Sequence, residues 1–189
     1  MAAEPKLALA LALPGSRVLL VGTGEHAAGS PLPRVPAVAD TLADLGRTLI
    51  ERCGLDPGHL RTVLDPANLV EFASALTETA QQATDVLVVY YVGHGLVSPA
   101  GELHLATLAT DDLSEALSYK ALPYSTVRQV LSGSPARSKV AVLDCCFSGR
   151  ARASFGSVVT DAFQLAYVRG SYLLTSASGE EVALAPPGE

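Results

Sequence analysis

Tryptophan is absent from these 189 residues, aromatic side chains make up only 5%, and cysteine occurs three times. Each scarcity narrows the field. A surface that binds nucleic acid by stacking bases needs aromatic platforms, and few are on offer. Positive charge is short as well. Thirteen Lys and Arg face 19 Asp and Glu, a net charge of −6, so no basic nucleic-acid footprint is expected. Three cysteines do not make a disulfide framework in a chain of this length. Cys145 and Cys146 are neighbours, and a bridge between them would close a strained ring. No C-x-x-C occurs and the four histidines are scattered, so no metal site or cofactor is expected. This cysteine usage fits a reducing, cytoplasmic compartment.

Long apolar runs are missing too. The stretch from Leu7 to Leu13 is too short to cross a bilayer. A secretory leader needs a cationic start, whereas Glu4 and Lys6 cancel here. Residues 1–15 therefore read as an N-terminal tail, and no membrane partner is expected.

What remains is 49% hydrophobic and 17% charged, enough apolar material for one substantial core over residues 16–189. RVLLVG at 17–22 reads as a buried strand. Residues 36–53 follow with Val38, Leu42, Leu45 and Leu49 at helical spacing, and Cys53-Gly54 supplies a stop. A short extended stretch is expected near 61–64, and Pro66 is expected to open a second helix carrying Leu69, Phe72 and Leu76. DVLVVYYV at 85–92 is the strongest strand signal, ended by Gly93. A short strand at 102–105, an irregular acidic stretch at 106–122, a helix at 124–131 and strands at 138–143 and 171–175 complete the pattern. Strands alternating with helices predict an α/β three-layer sandwich, with a mostly parallel central sheet flanked by helices.

In such a sheet, chemistry gathers beyond the carboxyl ends of the strands. That rule selects Gly22-Thr23-Gly24-Glu25-His26 after the first strand, Gly93-His94-Gly95 after the third, and Asp144-Cys145-Cys146-Phe147-Ser148-Gly149 after the next. Taken alone, a glycine-flanked histidine is commonly a turn residue, and a cysteine at a strand end is commonly a small core hydrophobe. Together at one sheet edge they suit a cysteine nucleophile with a histidine base. Backbone N–H groups at such strand ends can stabilise an oxyanion, each worth about 3 kcal/mol of barrier. Gly22-Thr23-Gly24 lacks the further residues of a phosphate loop.

The motifs YYVGHG (90–95) and DCCFSG (144–149) resemble the Y-S-G-H-G and D-x-C-x-S-G signatures of the caspase and metacaspase peptidases. The two motifs stand about 50 residues apart, as the paired residues of caspases do. The likeness is nearest to bacterial caspase-like domains found with conflict and immunity modules. It covers residues 17 to 189, including GELHLAT, KVAVLDCCFSGRA and YLLTSASGEEVALAPPGE. The resemblance implies a cysteine endopeptidase with His94 as base and Cys146, not Cys145, as nucleophile. It implies an oxyanion hole from the N–H groups of Gly95 and Cys146, and an imidazole oriented by backbone rather than by a carboxylate. Asp144 stands where metacaspases carry a pocket acid, or else it caps the turn that follows. The second metacaspase acid falls near PAVAD (36–40), so Asp40, Asp111 or Asp112 is the candidate partner, although Arg34 sits close to where caspases use arginine.

Cleavage after Arg or Lys is expected, with Arg150, Arg152 and Arg169 as candidate self-processing points. The role implied is an effector in regulated proteolysis or bacterial defence, acting on a protein or peptide substrate. The alternative is a catalytically silent scaffold that mediates assembly. The resemblance also predicts a large-subunit-like part that continues beyond Glu189 or joins partner modules.

Overall fold

The computed structural model describes residues 10–98, 100–111, 117–147 and 171–175. Among the described residues, seven strands form one sheet: β1 (Arg17–Gly22), β2 (Leu60–Leu64), β3 (Val86–Val97), β4 (Leu103–Leu105), β5 (Leu122–Pro123), β6 (Ser138–Phe147) and β7 (Ser171–Thr175). The order β2-β1-β3-β6-β7 is parallel throughout. β4 and β5 add antiparallel pairs beside the far end of β3. The sheet is thus mixed, which corrects the expectation of a mostly parallel one. The reason lies in β3. It does not stop at Gly93 but runs on to Val97, and residues 95–97 pair with β4 beyond the point where β1 ends.

The three layers follow from strand alternation. Leu19, Val21, Val89, Tyr91, Ala141, Leu143 and Cys145 turn to one face, where α2 (Leu69–Gln82) and α4 (Tyr124–Gly133) cover them with Phe72, Leu76, Val127 and Leu131. Val18, Leu20, Tyr90 and Val92 turn to the other face, under Val38 and Leu42 of α1 (Val38–Cys53). Burying a Leu or Phe side chain stabilises the fold by about 1.5–3 kcal/mol each. Leu11, inside the stretch read as a tail, is buried in the α1-side cluster.

Local chemistry sets the helix limits. α1 ends where Gly54 turns left-handed at φ 68°, and its N–H returns to the Leu49 carbonyl. α2 begins three residues later than Pro66 suggested. The Asn68 side chain accepts from the N–H groups of Val70 and Glu71, and Glu71 reaches back to the Ala67 N–H. Within the stretch expected to be irregular at 106–122, one segment forms a helical turn, α3 (Leu117–Lys120). Among the described residues, no helix is long and apolar enough to cross a membrane.

Candidate active site

The carboxyl ends of β1, β3 and β6 converge on one edge. β3 and β6 stay in register to the last residue of β6, with Val92 paired to Asp144, Gly93 to Cys145, His94 to Cys146 and Gly95 to Phe147. His94 and Cys146 were expected in loops after the strands. They lie instead in continuations of the strands, because β6 runs on past Leu143 to Phe147. Paired residues on parallel strands share a face, so position 146 shares the face of His94 and Asp144. Cys145 falls on the opposite face, is 2% exposed and belongs to the core with Leu143 and Tyr91.

The backbone at His94 is clamped. Gly93 sits at φ 148°, and a Cβ there would lie 2.8 Å from the Tyr91 hydroxyl and 2.9 Å from the Thr23 carbonyl oxygen. Only glycine fits both the angle and the space. The buried Tyr91 hydroxyl lies 3.0 Å from the His94 carbonyl and 3.1 Å from that of Ala106, and donates to this pair. The Ala106 N–H donates to the same His94 carbonyl at 3.0 Å. Thr23 Oγ1 donates to the Ala106 carbonyl at 2.8 Å, tying the end of β1 to the same point.

The imidazole is oriented by a carbonyl. His94 Nε2 stands 2.7 Å from the Pro33 carbonyl oxygen. A carbonyl only accepts, so Nε2 carries a proton in this contact, and in the neutral ring Nδ1 is left as the base. Pro33 lies in the segment joining β1 to α1, and that segment is tethered along its length. The Gly24 and Glu25 N–H groups donate to Asp65 Oδ1 at 2.7 and 3.0 Å. The Ala27 N–H reaches the Leu108 carbonyl, Ser30 Oγ reaches the Thr110 carbonyl at 2.9 Å, and the Val35 N–H returns to the Gly24 carbonyl.

A second histidine stands beside the first. The rings of His26 and His94 are 5.4 Å apart, tilted by 39°. His26 Nδ1 faces the Thr107 carbonyl at 3.3 Å, and its Nε2 is buried without a hydrogen-bond partner among the described residues. Burial, and then the charge of His94, push the His26 pKa below the ordinary 6.5. His26 is therefore held neutral more readily than a free histidine.

The expected pocket acids separate. Asp144 is half-buried, and its Oδ2 accepts from the Tyr90 hydroxyl at 2.8 Å. Asp40 lies exposed in the first turn of α1. That helix packs against the end of β1 so tightly that a Cβ on Gly22 would come 2.4 Å from Val38 Cγ1. Asp111 is engaged by Lys120 in an ion pair. Arg34, the caspase-like alternative, pairs with Glu25 at 2.5 Å. Gly95 sits in both ladders, paired with Leu105 and Phe147. Asp112, Arg150, Arg152 and Arg169 lie outside the described residues. Among the described residues, no group of three or more His, Cys, Asp or Glu is arranged to hold a metal ion.

Sequence reasoning missed His26, Pro33 and Tyr90. The strand-end rule had marked the segment containing His26 but gave it no role. Pro33 and Tyr90 act across 61 and 54 residues of chain, a distance no local pattern reports.

The family model for the caspase domain matches residues 17–181, nearly the whole chain. No curated protein matches it closely.

Proposed function

We propose that this chain, which belongs to the caspase domain family, is a cysteine endopeptidase in which Cys146 attacks and His94 moves the protons. The observation that carries the reading is the paired register of His94 and Cys146, together with the burial of Cys145 on the opposite face. In this reading Cys146 is the thiol assigned to the edge where the histidine stands.

The Pro33 carbonyl supports Nδ1 of His94 as the base, by engaging Nε2. His94 takes the Cys146 proton, and the thiolate adds to the scissile carbonyl carbon. The oxyanion is held by the N–H groups of Gly95 and Cys146, as the family likeness implies. Collapse of the tetrahedral adduct breaks the C–N bond, and the imidazolium gives its proton to the leaving amine. Water, deprotonated by His94, then cleaves the thioester and restores the thiol.

Asp144 is the acid of the specificity pocket in this reading. It is half-buried, shares the face of position 146 and lies two residues before it. A carboxylate there favours Arg or Lys before the scissile bond and repels acidic residues. Asp40, near the same sheet edge, is the candidate second acid. Asp111 is the weaker candidate, because Lys120 already offsets its charge. Asp112 remains a candidate on the family likeness alone. A domain of this kind serves as an effector of regulated proteolysis, in bacterial defence by its likeness to that group, with self-processing at Arg150, Arg152 or Arg169.

A fluorogenic peptide panel that varies only the residue before the scissile bond tests the proposal. The expected order is Arg, then Lys, with Asp uncleaved. Preference for Asp would overturn the pocket, and no cleavage of any member would favour a silent scaffold.

A further inference from the structure

Tyr90 is a core residue with one polar duty. It is 9% exposed, in the cluster with Val92, Val38 and Leu42 under α1. A buried tyrosine hydroxyl needs a partner, and here the partner is Asp144 Oδ2 at 2.8 Å. Burial first, and the Asp144 carboxylate second, push the phenol pKa up, so it stays protonated and keeps donating at neutral pH.

A carboxylate is free to turn about two side-chain bonds, and its plane is undefined unless something fixes it. An ammonium, with a point charge and rotating donors, tolerates an undefined plane. A guanidinium, which pairs through two parallel bonds, does not. We propose that Tyr90 is a specificity-positioning residue, which fixes the plane of the Asp144 carboxylate so that the pocket prefers Arg over Lys. The proposal rests on the reading of Asp144 as the pocket acid. Tyr90 touches no reacting atom and acts only through Asp144.

Tyr90→Phe removes one oxygen and leaves the ring packed. Steady-state kinetics on paired Arg and Lys peptides should show kcat/KM for Arg falling about 10-fold, mostly through KM, as for loss of one bond to a charged group. The Lys peptide should lose only about 2-fold, so the Arg/Lys ratio drops. In an Asp144→Asn background, Tyr90→Phe should change neither the ratio nor KM. Labelling of Cys146 by a thiol-directed reagent without a basic residue reports that each variant is folded.

Equal losses on Arg and Lys peptides would mean a merely structural tyrosine and overturn the proposal. An Asp144→Asn enzyme that loses Arg cleavage while Tyr90→Phe keeps the ratio would overturn it while sparing the pocket. An Asp144→Asn enzyme that still prefers Arg would overturn the pocket and the proposal together.

Discussion

His94 and Cys146 occupy paired positions on adjacent parallel strands, β3 and β6, in an unbroken register that begins at Val86 and Ser138. Two residues from different motifs are thus brought together by backbone hydrogen bonding rather than by flexible loops. Sites built on strands hold their geometry more tightly than sites built on loops.

The two adjacent cysteines should behave oppositely. Cys146→Ala is expected to abolish peptide cleavage with the melting temperature nearly unchanged. Cys145→Ala leaves a small void in the core beneath Leu143 and Tyr91, costs roughly 1 kcal/mol of stability and retains cleavage. Thermal melts and a peptidase assay on both variants check this. A well-folded but inactive Cys145→Ala protein would reverse the assignment.

Gly93→Ala should damage activity out of proportion to its size. The φ of 148° and the contacts at 2.8 and 2.9 Å leave no place for a methyl group. Strain of about 1–3 kcal/mol is expected, relieved by movement of the strand one residue before His94. We predict a lower melting temperature and at least a ~10-fold fall in kcat, the rate equivalent of ~1.4 kcal/mol. Wild-type kcat in this variant would show that the clamp does not position the base.

His26 makes stability depend on pH. Its folded pKa is lowered by burial first and by the charge of His94 second, while the Thr107 carbonyl, Asp65 and Glu25 pull the other way. The unfolded chain takes up a proton near 6.5, and the folded chain does so only at lower pH. The folded state is therefore unpenalised above 6.5 and loses stability as pH falls through 6.5 toward the folded value. Denaturant melts from pH 7.5 to 5.5 should slope downward, and His26→Phe should flatten that slope whatever its baseline. Parallel curves for the two proteins would contradict the assignment.

Much of this was legible in the sequence, and the rest was hidden for identifiable reasons. β1 and the body of β3 announce themselves as continuous, valine-rich apolar runs, and α1 by its apolar spacing and Gly54. Alternation alone separates Cys145 from position 146. The extension of β3 through Gly93 was not legible, because glycine reads as a stop. Here Tyr91, Thr23 and Ala106 hold the strand beyond it, and that extension makes the sheet mixed. The start of α2 was misplaced for a similar reason: Pro66 is a louder signal than Asn68, but Asn68 provides the cap. The Pro33 carbonyl carries no side-chain signature at all. It serves His94 because Asp65, Leu108 and Thr110 fold its segment across the sheet edge.

The most direct test of the central claim is to map where a peptidyl thiol-directed inhibitor attaches. The protein is treated with a basic peptidyl reagent, digested and analysed by mass spectrometry, alongside Cys145→Ala, Cys146→Ala and His94→Ala. The account predicts a single adduct on Cys146, retained in Cys145→Ala, absent from Cys146→Ala and formed at least ~100-fold more slowly in His94→Ala, as for loss of a catalytic base. An adduct on Cys145 or Cys53, or labelling of Cys146 at the same rate without His94, would contradict it.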